Sequence, residues 1–125
     1  MCGAAIARRF ATAGATVAFT YSGSQAAAAA LAKELGAEAI KADSADRDAV
    51  IDVVRSRGAL DVLVVNSGVI LFGDARTLDP DAVDHLIDVN VRAPYHAYWW
   101  CSACGHHVDS GTSPSPRCFA TRRKL

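Results

Sequence analysis

Two places in this 125-residue chain gather residue types that do chemistry. The first is Cys101-Ser102-Ala103-Cys104-Gly105-His106-His107, with Cys118 further on. Two thiolates at x2 spacing with imidazoles close behind are ligand types for tetrahedral zinc. The surrounding sequence carries no hairpin or helix pattern to fix such ligands, and Ser113-Pro114-Ser115-Pro116-Arg117 has a loop composition, so no metal site is assigned. The second is Asn66-Ser67-Gly68, which abruptly ends the apolar run Val62-Leu63-Val64-Val65. An unbroken run of this kind, three of its four residues β-branched, predicts a strand covered on both faces, as in a parallel sheet. A turn at the carboxyl edge of such a strand is where open α/β sheets hold their ligands, although the same residues also make an ordinary turn.

The elements that must position these groups follow a regular rhythm. Residues 3–13 predict a helix, with Ile6 and Phe10 spaced i, i+4, and Gly14 closes it. Residues 16–21 are good sheet formers, and Ser22-Gly23-Ser24 turns the chain into an alanine-rich helix over 25–35 that Gly36 stops. A short strand over 38–41 follows. Asp43-Ser44 is positioned to cap the next helix, which runs to about Arg57 with Val50, Ile51, Val53 and Val54 as its apolar face. Gly58 ends it, and the run at 62–65 is the third strand. Asp79-Pro80 opens another helix as cap and first-turn proline, with Val83, Leu86, Ile87 and Val91 facing inward and Pro94 kinking or ending it. Strict helix–strand alternation predicts an α/β fold with parallel strands and right-handed crossovers.

Composition bounds the function. The chain is 51% apolar, and its 13 basic residues balance 13 acidic ones, so no overall field draws nucleic acid or an acidic membrane surface. No apolar stretch is long enough to span a bilayer, and a cytoplasmic protein is the expectation. The balance hides a break near Ala97. Residues 1–97 carry 9 Lys and Arg against 12 Asp and Glu, a net of −3, whereas residues 98–125 carry 4 against 1, a net of +3. Three of the four cysteines and both tryptophans also lie beyond that point. The expectation is one partial domain over 1–97 and an unrelated, irregular tail over 98–125, the pattern that a change of reading frame would leave.

In order along the chain, these motifs resemble the classical short-chain dehydrogenase/reductase family, from about Gly3 to Ala97. Gly3, opening its helix, is similar to the final glycine of the family's TGxxxGxG loop, where backbone N–H groups and the helix dipole hold the cofactor pyrophosphate. Tyr21 and Ser22 stand where the family meets the adenosine ribose. An acid there favours NAD; this sequence has none, so the resemblance implies NADP, with NAD as the alternative. Asp43 and Ser44 resemble the acidic motif beside the adenine ring. Asn66, Ser67 and Gly68 resemble the family's Asn-Ala-Gly, which borders the cofactor, with Ser67 in place of the usual alanine. Asn90 matches the helix asparagine that the family uses in its catalytic proton relay. Tyr21-Ser22-Gly23-Ser24, residues 43–58 and residues 92–97 are similar to a bacterial subgroup of cyclic-di-GMP-binding biofilm dispersal mediators.

The resemblance therefore implies an incomplete Rossmann-type, doubly wound parallel sheet, without the family's first strand or its later ones. It implies hydride transfer between NADP(H) and a small carbonyl or alcohol substrate, in a protein that is usually homo-oligomeric, with cyclic-di-GMP binding without catalysis as the alternative. The family's chemistry needs a serine and a Tyr-x-x-x-Lys pair, in which the lysine lowers the tyrosine pKa for acid–base work. Here Tyr21, Tyr95 and Tyr98 are followed four residues on by Gln25, Trp99 and Ser102. Loss of turnover is the expectation, and so is the lack of a stable cofactor-binding fold in these 125 residues alone. The strands at 16–21 and 62–65 are also expected to lack their common neighbour, which leaves a row of open main-chain groups on each.

Overall fold

A computed structural model describes residues 2–58, 60–74, 76–103 and 121–123. The element order is α1 (Cys2–Thr12), β1 (Ala15–Tyr21), α2 (Gln25–Leu35), β2 (Glu38–Lys41), α3 (Arg47–Ser56), α4 (Pro80–Ile87), a π-helical turn (Asp88–Arg92), α5 (Ala93–Ala103) and β3 (Thr121–Arg123). The glycine stops hold. Gly14, Gly36 and Gly58 have φ of 83°, 60° and 65°, the left-handed conformation that reverses a helix end without a Cβ clash. β1 and β2 pair in parallel, Ala18 opposite Glu38 through Tyr21 opposite Lys41, with α2 as the crossover. α1 packs on β1, and Arg8 donates to both carboxylate oxygens of Glu34 on α2 at 2.7 and 2.9 Å. That hydrogen bond holds the exposed Glu34 carboxyl below its ordinary range.

Three expectations are corrected. First, residues 62–65 are not a ladder strand: only Val62 lies in an isolated bridge, and the sheet order is β2-β1-β3. A strand exists through its neighbour, and no described strand lies between this run and β1. Leu63 still anchors the run, being 9% exposed in a cluster with Val54 of α3 and Ala97 and Cys101 of α5. Second, the residue that caps α3 is Asp46, not Asp43 or Ser44. Asp46 has extended backbone, and its carboxylate accepts from the N–H groups of Asp48 and Ala49 at 3.0 and 3.1 Å. Asp43 instead accepts from the N–H of Ala45 at 2.9 Å and so shapes the turn before the cap. Asp46→Ala is expected to cost about 1 kcal/mol, read as a lowered urea midpoint with unchanged slope.

Third, Pro94 does not end its helix. Asp79 caps α4 as predicted, taking the N–H of Asp81 at 3.2 Å, but α4 continues through the π-helical turn into α5. The N–H of Ala93 reaches back five residues to the carbonyl of Asp88. This wider turn comes immediately before Pro94, which has no N–H to give. The extra residue also rotates the helix face. Val91, expected inside, is 59% exposed, while Val89 is 4% and Ala93 5% exposed. Beyond the turn, α5 packs against α3, and the Arg55 guanidinium sits 3.8 Å from the centre of the Trp100 ring. On the other side, Tyr95 and Trp99 stack at 6.3 Å.

α5 runs through position 97 without interruption. Residues 121–123 of the predicted irregular tail form β3, antiparallel to residues 15–17 of β1. Cys104, His106, His107 and Cys118, the remaining members of the cysteine–histidine cluster, lie outside the described residues.

Candidate functional site

The site is built where β1, β2 and the run at 62–65 release the chain at their carboxyl ends. β1 ends at Tyr21 and turns through Ser22; β2 ends at Lys41 and turns through Asp43 and Ser44; the apolar run ends in Asn66-Ser67-Gly68. All of these turns, together with Gly3 in the first turn of α1, line one cleft of about 1240 Å³. The eight residues singled out as cofactor-facing are thus brought together, although they come from four separate places in the chain. His85 of α4 and Val89 also line the cleft; their spacing, i and i+4, is the helical signal by which His85 is found.

Two glycines permit close approaches at its floor. A Cβ on Gly3 would lie 3.1 Å from the Asn66 side-chain nitrogen, so the head of α1 and the Asn66 turn meet where only glycine fits without a shift. A Cβ on Gly68 would lie 3.3 Å from Oδ1 of Asn90.

Asn90 grips the turn. Its Nδ2 donates to the carbonyl of Val69 at 2.7 Å, and its Oδ1 accepts from the N–H of Val69 at 2.9 Å. A primary amide that satisfies both main-chain groups of one residue imitates a strand partner. Asn90 lies within the π-helical turn, one residue beyond buried Val89. In this chain its side chain therefore positions residues 68 and 69 beside the cleft. Sequence reasoning gave Asn90 the family's proton-relay role but had no signal for Val69, which takes part through its backbone alone. Asn90→Ala is expected to remove both bonds and cost about 1–2 kcal/mol. Asn90→Asp keeps only an acceptor, and is expected to restore Val69 N–H protection in hydrogen exchange but not full stability.

No group of three or more His, Cys, Asp or Glu among the described residues is placed to hold a metal ion. No helix among them is long and apolar enough to cross a membrane. Asp43 and His85, which line the cleft, are exposed, whereas Tyr21 and Arg57 in the same lining are half-buried.

A parallel β–α–β unit, a glycine at the head of the first helix and polar turns gathered at the strands' carboxyl ends define a Rossmann-type nucleotide-binding architecture. The chain belongs to the short-chain dehydrogenase family, whose model matches residues 2–106. It is 62% identical over 95 residues to the Cyclic-di-GMP-binding biofilm dispersal mediator protein of Escherichia coli K12, a match that spans 76% of this chain and 40% of that protein. It is 35% identical over 102 residues to versicolorin reductase stcU of Emericella nidulans, covering 74% of this chain and 39% of the relative. Among solved structures, BdcA in complex with NADPH superposes with a TM-score of 0.80 at 58% identity, covering 81% of this chain and 41% of BdcA. A short chain dehydrogenase from Burkholderia cenocepacia in complex with NADP superposes at 0.68 and 41% identity, covering 81% and 45%. The chain thus spans less than half the length of these relatives.

Proposed function

We propose that this chain is an NADP(H)-binding unit of a short-chain dehydrogenase/reductase, and that alone it holds the cofactor without turning over a substrate. The observation that carries this reading is the convergence of Gly3, Tyr21, Ser22, Asp43, Ser44 and the Asn66 turn on one cleft. The residues fit the group: the cleft, at about 1240 Å³, exceeds the roughly 300–1,000 Å³ of ordinary small-molecule sites. Free N–H groups in the first turn of α1 and the positive end of its dipole suit a pyrophosphate. Tyr21 and Ser22 offer a ribose 2′-phosphate hydroxyls and no repelling carboxylate. Asp43 is an acceptor for the exocyclic adenine amine, and residues 66–68 border the remaining length of the dinucleotide. When bound, the cofactor supplies a hydride for a carbonyl or accepts one from an alcohol. This chain's own part is to bind and orient it. Its three tyrosines lack a lysine four residues on, so a tyrosine activated in the family's manner is missing.

A second reading, cyclic-di-GMP binding without catalysis, is favoured by the name of the 62%-identical Escherichia coli relative. Isothermal titration of the 125-residue chain with NADPH, NADH and cyclic-di-GMP separates the two. The expected result is saturable binding of NADPH, weaker binding of NADH and no NADPH oxidation with simple aldehydes or ketones. Heat from cyclic-di-GMP alone would reverse the order of the readings. A cytoplasmic location and homo-oligomeric assembly are carried with the family reading.

A further inference from the structure

We propose that Pro94 is a positioning residue for the floor of the cleft: by excluding an α-helical register over 90–94 it imposes the π-helical turn, and that turn aims Asn90 at Val69. A proline inside a helix gives no N–H to the carbonyl four residues back, and its ring crowds that carbonyl. For Pro94 the carbonyl is that of Asn90. Yet α5 runs through Pro94, from Ala93 to Ala103. The chain makes room upstream, where the N–H of Ala93 closes on the carbonyl of Asp88, five residues back instead of four. One residue is thereby added to the turn that carries Asn90. Insertions of this kind recur at functional sites in helices.

Packing beyond the turn decides which part moves when the register changes. Ala93, Ala97 and Cys101 recur every four residues and are all buried. Ala97 and Cys101 belong to the cluster with Val54 of α3 and Leu63, and so fix the rotation of α5. Arg92 pairs with Asp88 across the turn, but both side chains are partly exposed and the pair adds little to the choice of register. A return to the α register removes one residue, about 100° of arc. With α5 held, that arc is taken up on the α4 side, where Asn90 lies. The grip does not survive it. Both amide bonds, at 2.7 and 2.9 Å, end on the single residue Val69 and depend on direction. Gly68 narrows the tolerance further, since Asn90 Oδ1 lies 3.3 Å from where a Cβ would stand. Gly68 and Val69 line the cleft, whereas Pro94 does not. Pro94 therefore acts on the floor through Asn90. Its effect on a bound dinucleotide rests on the cofactor reading above; its effect on Val69 does not.

The test compares the 125-residue chain with Pro94→Ala, Asn90→Ala and the double variant. Alanine restores an N–H and favours a helix, so the far-UV signal and Tm of Pro94→Ala are expected to hold or rise. NMR coupling through the hydrogen bond of the Ala93 N–H is expected to reach the Asp88 carbonyl in the unaltered chain and the Val89 carbonyl in Pro94→Ala. Exchange of the Val69 N–H should quicken about tenfold, as loss of the Asn90 bonds implies, with exchange over 97–101 unchanged. In the Asn90→Ala background, Pro94→Ala should add nothing at Val69. That result separates positioning through Asn90 from a general loosening of the helix. NADPH binding should weaken about fivefold in Pro94→Ala. A coupling that stays on Asp88, an unchanged Val69 rate, additive rates in the double variant or loss of the folded state in Pro94→Ala overturns the proposal. So does unchanged NADPH affinity in a variant whose Val69 is released. Should the unaltered chain bind no NADPH, the cofactor reading fails, and the couplings and exchange rates still decide the role of Pro94.

Discussion

Leu63→Ala is expected to destabilise the fold by about 2–5 kcal/mol, the range for emptying a buried leucine site. Leu63 is the one residue of the apolar run that reaches the cluster formed by Val54, Ala97 and Cys101, where it is 9% exposed. The run makes only an isolated bridge at Val62 and no ladder, so this side chain and the Asn90 grip on Val69 help to hold it to the fold. Removing the leucine methyls leaves a cavity between α3 and α5 and frees the wall of the cleft at once. Domains of this size have about 5–15 kcal/mol in total, so the loss takes a large share. Urea unfolding followed by far-UV circular dichroism measures it. Val65→Ala is the control: at 42% exposure it should shift stability by no more than about 0.5 kcal/mol. Equal effects from the two variants would mean that the run is not anchored through Leu63.

Ser22→Asp is expected to weaken NADPH binding about 10–100-fold and to leave NADH binding unchanged or stronger. Ser22 is exposed at the carboxyl end of β1 and lines the cleft. A carboxylate placed there meets a 2′-phosphate as a like charge; at about 4 Å this costs roughly 1 kcal/mol in water-like surroundings and 4 kcal/mol near a protein surface. The same carboxylate accepts a hydrogen bond from an unphosphorylated ribose. Titrations at low and high salt add a check, since the penalty is electrostatic and shrinks with screening. A parallel loss for both dinucleotides would show that the ribose does not lie at the end of β1.

Much of this architecture was legible because local chemistry alone decides it. Glycine at 14, 36 and 58 ends a helix whatever surrounds it, and Asp79-Pro80 starts one for equally local reasons. The cap of α3 is not legible locally because three acceptors, Asp43, Ser44 and Asp46, stand within four residues, and only the backbone conformation at 46 picks it. Val91 turns outward because the π-helical turn slips the face by one residue, where a constant 3.6-residue period would carry the stripe straight through Ile87. The run at 62–65 has a strand's composition without a strand's partner, and pairing is a non-local property that composition does not encode. The cleft residues were readable as motifs because polar turns at strand ends keep their order in the sequence. The Asn90–Val69 grip was not, since its second half is backbone.

The two neighbouring tryptophans give the fold an internal optical gauge. Trp99 is 58% exposed and stacked on Tyr95, whereas Trp100 packs against the core cluster with the Arg55 guanidinium over its ring. Trp100 is half-buried, so a soluble quencher reaches the first more readily than the second, and the emission of one chain separates into a more exposed and a more sheltered component. The sheltered component reports whether α3 and α5 remain together. The exposed one reads the aromatic face of α5, which any partner covering that face would shield. Single Trp→Phe replacements at 99 and 100 turn the unlabelled protein into a sensor of its own packing on one face and of its surroundings on the other.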